Sequence, residues 1–216
     1  MYRNRKQAEE VIGGLSRPSK MPSYGYSISA YRCARGGELA KIPGSVCFDC
    51  YARKGRYSFG NVQAALERRY DKLTQALTSP TYREGFVDAF VYLLRNEEYF
   101  RWHDSGDLQS LEHLELIAYI ASVTQHVQHW LPTKETNIVR QYMAKHGKPP
   151  ANLTIRVSAP MVNGAPLNVA GCPTSTVSNN RVSVGNDCLA YTRGGKCGDC
   201  RLCWNPNVSN VTYPLH

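Results

Sequence analysis

Between Tyr99 and Val157 the chain alternates β-like and helix-like segments joined by short links. Tyr99 to His103 reads as a strand. Ser110 is placed to cap a helix running to about Thr124. Val127 to Leu131 reads as a second strand, Glu135 to Lys145 as a second helix, and Leu153 to Val157 as a third strand. Neighbouring parallel strands need a crossover, and a helix is the usual one. The pattern therefore predicts an α/β fold built on a parallel sheet with covering helices. Two more helices come before it. Val62, Ala65, Leu66, Tyr70, Leu73, Ala76 and Leu77 mark one helical face. Ser79-Pro80 then supplies an N-cap and a first-turn proline for a helix carrying Phe86, Ala89, Phe90, Leu93 and Leu94.

The flanks read differently. Residues 1–58 show a short helical pattern at 4–12 and are otherwise punctuated by glycine and proline. Residues 159–216 show only short β-like runs, Leu167 to Ala170 and Arg181 to Val184. The expectation is one domain over 1–216, with a regular core at 59–158 between two irregular segments. Ordered segments that long need something to organise them.

The eight cysteines point to what that is. Cys197, Cys200 and Cys203 follow each other at two-residue gaps, with Cys188 upstream. Three thiols so spaced cannot all pair with one another as disulfides, but they can all face one metal centre. This spacing wraps thiolates around an iron–sulfur cluster and also suits structural zinc. Gly194, Gly195 and Gly198 give the loop freedom to bend. A second group is sparser: Cys33, then Cys47 and Cys50. A cluster held by three cysteines leaves one iron open to a small molecule. Alternatively Cys172 closes that site, or is a buried and inert thiol. The expected cofactor is one or two iron–sulfur clusters of the [4Fe-4S] type, with zinc as the alternative.

Composition sets outer limits. No run of about 18 apolar residues is present, so no membrane span is expected. The basic start, Met1 to Lys6, is not followed by an apolar signal core. A cytoplasmic location follows as an expectation, and in that compartment clustered cysteines serve as ligands more often than as disulfides. The formal charge is +9. Two thiolate centres of about −2 each would lower it to roughly +5. Nucleic acid is thus one expected partner, and a redox protein another. Tyrosines crowd the cysteine-bearing zones, where they can stack on bases or shield a centre from solvent.

In parallel sheets, ligands bind at the carboxyl ends of the strands. Arg101-Trp102-His103-Asp104-Ser105-Gly106-Asp107 ends the first strand of the alternation, Thr133-Lys134-Glu135 the second and Arg156-Val157-Ser158 the third. His103, Asp104, Asp107 and Lys134 are the candidate catalytic residues. The competing roles are a helix cap for Asp107 or Ser105, a satisfied core position for His103 and a solvated surface charge for Lys134.

These segments together resemble the phage protein family named for gene product 88. The resemblance rests on Cys47-Phe48-Asp49-Cys50-Tyr51-Ala52 with Gly55 and Tyr57, Phe100 to Leu108, Trp130 to Lys134, Arg156 to Ala159 and Cys197 to Trp204. A more distant similarity is to radical S-adenosylmethionine enzymes, where a Cys-x-x-Cys-Tyr-Ala element precedes a partial (β/α) barrel. That similarity implies a barrel-like sheet. It also implies that Cys33, Cys47 and Cys50 hold a cluster binding S-adenosylmethionine. This chain spaces its first two cysteines by 13 residues, against three in the usual signature, and only about three strands are evident. The reading is a soluble iron–sulfur phage protein, as a radical-type or redox enzyme. The alternative is a metal-stapled, non-catalytic protein that binds nucleic acid or a host protein.

Overall fold

The computed structural model describes residues 2–179 and 184–215. Its frame is a single seven-stranded sheet, parallel throughout. The strands are β1 (Gly25–Tyr26), β2 (Tyr99–Trp102), β3 (Gln128–Thr133), β4 (Leu153–Val162), β5 (Thr174–Ser178), β6 (Asn186–Asp187) and β7 (Asn210–Pro214), in the order β1-β2-β3-β4-β5-β7-β6. The helices are α1 (Arg5–Ile12), α2 (Ala34–Leu39), α3 (Gly60–Thr78), α4 (Pro80–Leu94), α5 (Leu111–Val123) and α6 (Thr136–His146). The result is a partial, barrel-like α/β sheet, and all three zones of the chain contribute strands to it.

The central alternation forms as expected, and its capping residues explain where the helices begin. The Ser79 hydroxyl accepts from Tyr82 N–H ahead of Pro80, and the Ser110 hydroxyl accepts from His113 N–H. The flanks depart from expectation. Leu167 to Ala170 forms no strand, and Arg181 to Ser183 lies outside the described residues. Four strands instead come from segments without a clear apolar pattern: β1, β5, β6 and β7. In β5, Thr174 bonds Asn210 (2.8 Å), Ser175 bonds Ser158 (3.0 Å) and Thr176 meets Thr212 (3.1 Å). These buried hydroxyls are satisfied by their neighbours across the sheet, which lets a polar sequence lie inside.

Successive side chains on a strand point to opposite faces, and here the two faces have different cover. One face meets the helices. Phe100 and Trp102 of β2, Leu131 of β3 and Ile155 and Val157 of β4 join Phe86, Phe90, Ile117 and Ile120 in the main core. The alternate positions, Tyr99 and Arg101 of β2, Trp130 of β3, Thr154 and Arg156 of β4, meet the C-terminal loop. Trp204 packs with Trp130 and Met21, and its Nε1–H donates to Phe100 O at 2.9 Å. Thr154 Oγ1–H donates to Trp204 O at 2.7 Å.

His129 shows how tightly the helix-covered face is specified. Trp102 Nε1–H can only donate, so His129 Nδ1 accepts from it (3.3 Å), and Nε2–H faces Thr124 Oγ1 (2.9 Å). Burial first, and the charge of His126 second, lower its pKa to about 3. The folded pKa lies below the unfolded one. The stabilisation is therefore complete above about pH 6.5 and is lost as pH falls toward 3. Replacing His129 with Gln should flatten the fall in unfolding free energy across that window by up to about 1.4 kcal/mol per pH unit. Denaturant titrations at several pH values check this.

Candidate functional site

The carboxyl ends of the strands open into a cavity of about 630 Å³. One wall is the turn after β2. His103 takes a left-handed conformation (φ 52°), and its N–H donates to Tyr26 O at 2.8 Å. Ser27 Oγ accepts from Asp104 N–H, and Ser105 Oγ–H donates to Ile28 O at 2.9 Å. A Cβ on Gly106 would stand 2.3 Å from Ile28 Cγ1 and 2.8 Å from Ile28 O. With φ at 80°, only glycine fits there. The turn is thus laced to the segment following β1 along its whole length.

The four candidate catalytic residues all line this cavity, with different degrees of freedom. Asp107 is fully engaged. Its Oδ1 accepts from Thr133 Oγ1–H (2.6 Å) and Leu108 N–H (2.8 Å), and its Oδ2 from Lys134 N–H (2.9 Å). It ties the β2 and β3 ends together and fixes the backbone of Lys134. Asp104 receives Tyr57 Oη–H on Oδ2 (2.9 Å) and Tyr51 Oη–H on its carbonyl, while Oδ1 is buried without a partner. Both ring nitrogens of His103 are also buried and unpartnered. Burial, then the Arg101 charge, push His103 down to about 3, so its imidazole is neutral.

The N-terminal thiols line the cavity beside Lys134. Cys33 precedes α2. Cys47 and Cys50 lie in a loop held to β4 by Val46 N–H to Pro160 O (2.8 Å) and Val162 N–H to Gly44 O (3.0 Å). A Cβ on Gly36 would stand 3.5 Å from Cys33 Sγ and 3.7 Å from Cys47 Sγ, so both sulfurs gather over that glycine. Burial pushes the Cys33 thiol up to about 12, and the negative charges of Asp107, Cys50 and Cys47 act in the same direction. Cys47 is raised by burial, with Lys134 opposing.

Of the C-terminal thiols, Cys188, Cys197 and Cys203 line the same cavity. Cys188 N–H donates to Thr212 O (2.8 Å), and Cys197 N–H to Lys20 O (2.9 Å). Cys188 and Cys200 both raise the Cys197 thiol, after burial, so these sulfurs sense one another's charge. Cys203 Sγ lies 3.0 Å from Tyr213 Oη and is raised to about 11 by burial. Cys172 stands apart. It packs against the main core, and burial alone raises it to about 11.

All eight cysteines are free thiols. Crowded, buried thiols that raise one another's pKa resist ionisation until a cation joins them, and thiolate is a soft-metal ligand. The donor set therefore fits a thiolate-bound metal centre. Among the described residues, no three His, Cys, Asp or Glu side chains group as ligands of a single ion. A cluster core holds its cysteines farther apart than one ion does, and six of the thiols line the open cavity, Cys172 and Cys200 not being among them.

Comparison with known proteins adds one finding. The family model described as Gene product 88 matches residues 2–206. The chain belongs to this phage protein family. The stretch shared with the Gene product 88 family includes all eight cysteines and the turn from His103 to Asp107. No curated protein and no solved structure matches the chain. Among the described residues no helix is long and apolar enough to cross a membrane.

Two site residues were not assigned to the site by sequence reasoning. Arg101 shares a strand face with Tyr99 and lines the cavity, lying 4.4 Å from the Trp130 ring centroid. Strand periodicity carries that signal, since it separates Arg101 from Phe100 and Trp102. Tyr213 had no signal, because β7 itself is not legible as a strand.

Proposed function

We propose that this is an iron–sulfur protein in which two thiolate centres flank one small-molecule cavity, acting as a redox or radical-type enzyme. One observation carries the reading: thiols from two chain-distant segments line the same cavity as the polar carboxyl edge of a parallel sheet. Its volume is in the range of cofactor and substrate sites. Cys33, Cys47 and Cys50 would hold one centre, and Cys188, Cys197, Cys200 and Cys203 the other. Such clusters supply one-electron chemistry, and a three-cysteine site leaves a position open for a ligand.

The chain's own residues prepare that site. Lys134 favours thiolate at Cys33 and Cys47 through its charge. Asp107 positions Lys134 through the backbone, and both its oxygens already accept hydrogen bonds from the protein. Neutral His103 offers one donor and one acceptor, and Asp104 Oδ1 one acceptor. The Tyr51 and Tyr57 rings, 5.8 Å apart and edge-to-face, hold the loop after Cys50 against Asp104.

The radical form of this reading predicts that S-adenosylmethionine alters the electron paramagnetic resonance spectrum of the reduced, anaerobically purified protein. An unchanged spectrum would sink that form and leave the redox form standing.

A further inference from the structure

Four aromatic rings stand more than half exposed beside the cavity: Tyr31 (60%), Phe59 (59%), Phe48 (54%) and Tyr51 (51%). Tyr51 lines the cavity, Tyr31 and Phe48 follow the lining residues Ala30 and Cys47, and Phe59 lies two residues beyond Tyr57. Three short 3-10 turns carry this lip: Ala30–Arg32, Tyr51–Arg53 and Gly55–Ser58. Side chains join them. Arg53 donates to Ala30 O at 3.2 Å, with its guanidinium 5.2 Å from the Tyr31 ring centroid. The Tyr51 and Tyr57 rings meet edge-to-face. Gln63 donates to Tyr57 O (2.6 Å) and accepts from Ser29 Oγ–H (3.2 Å), which ties the third turn to the start of the first.

The lip is predominantly basic. Between residues 30 and 60 the basic side chains are Arg32, Arg35, Lys41, Arg53, Lys54 and Arg56, and the acidic ones are Glu38 and Asp49. Arg32 pairs with Glu67, Arg35 with Glu38 and Lys54 with Asp49. Among the described residues Lys41, Arg53 and Arg56 pair with no carboxylate. The cavity wall, by contrast, is balanced, with Lys20, Arg101 and Lys134 against Asp49, Asp104 and Asp107. The surplus positive charge therefore lies outside the cavity, next to the exposed rings.

Phosphates are the complementary charge for such a surface, and exposed rings are platforms on which unpaired bases stack. A duplex keeps its bases stacked inside and offers these rings nothing to face. A bilayer contact needs a continuous apolar face, which rings interleaved with Arg32, Asp49 and Arg56 do not form. We propose that this lip binds single-stranded nucleic acid, with bases stacked on Tyr31 and Phe59 and phosphates against Arg53 and Arg56. The strand is thereby brought to the mouth of the cavity. This binding goes beyond the redox reading and stands whichever metal the thiols hold.

The test is fluorescence anisotropy of full-length, anaerobically purified protein with labelled single-stranded DNA and RNA of about 16 nucleotides, at rising salt. Affinity for the strand should fall linearly with salt on log–log axes. Phe59→Ala should raise the dissociation constant about tenfold. Arg56→Ala should reduce the magnitude of the salt slope by about 0.7. Both side chains are exposed, so neither change should unfold the chain. Tyr119→Ala, at a comparably exposed ring (57%) on α5, should leave binding unchanged. No binding of either strand at low salt overturns the proposal. So does a duplex of the same length bound as tightly, or a Phe59→Ala variant with unaltered affinity. A protein that binds strands in this pattern but carries zinc and no iron or sulfide supports the proposal while the redox reading fails.

Discussion

Arg156→Met should lower the unfolding free energy by about 2–3 kcal/mol, a large loss for one substitution. Methionine fills most of the arginine stem's volume but withdraws a charged donor from four backbone carbonyls, of which Leu202 O and Asn205 O keep the N–H groups of Asn205 and Val208. Three of the four carbonyls come from Leu202, Asn205 and Val208, in the loop that follows the C-terminal cysteines, and one from Thr174 on β5. Hydrogen bonds from a charged donor are worth about 1.5–3 kcal/mol each, and three of these bonds are only partly buried, so the total falls below a simple sum. For a chain of this size the loss corresponds to a melting temperature lower by roughly 4–12 °C. Arg156→Lys should recover only part of it, because one ammonium group cannot serve four carbonyls as a planar fork does. Thermal and denaturant unfolding check both variants. A loss under about 1 kcal/mol for Arg156→Met would show that the loop is held by other contacts, such as Thr154 Oγ1 to Trp204 O.

The second large effect is on metal content. If the two thiol groups hold separate iron–sulfur centres, as proposed, Cys50→Ser and Cys200→Ser should each remove about half of the bound iron and sulfide. Cys172→Ser should leave the metal content unchanged, since that thiol packs against the main core. Metal analysis of the three variants, with circular dichroism to confirm folding, separates the sites. Loss of all metal from a folded Cys200→Ser variant would mean that the two groups share one centre.

The sequence made the middle of the fold legible and hid its edges, for a physical reason. From α3 to β4 the elements bury apolar side chains at regular spacing, and the caps at Ser79 and Ser110 mark where two of the helices start. Strands β5 and β7 instead satisfy buried hydroxyls and amides across the sheet, as Thr174 does with Asn210. Hydrophobic periodicity has nothing to register there. The two-residue strands β1 and β6 are too short to leave a pattern of any kind. The same contrast holds at the site. Cysteine spacing and strand-end position picked out residues most of which line one cavity, Cys172 and Cys200 being the exceptions. The duty of Asp107, whose two oxygens are both engaged, depends chiefly on Thr133 and Lys134, 26 and 27 residues further along the chain. Spacing cannot show such partners. Nor could it show that Arg156 would be clamped by a loop some 46 residues further on.

What the thiols bind decides the function of this protein. Purifying the protein without oxygen, recording its visible spectrum and assaying iron, sulfide and zinc tests this most directly. An iron–sulfur protein will be brown, with a broad visible absorption band and matched iron and sulfide. A colourless protein holding zinc alone would contradict the iron–sulfur reading.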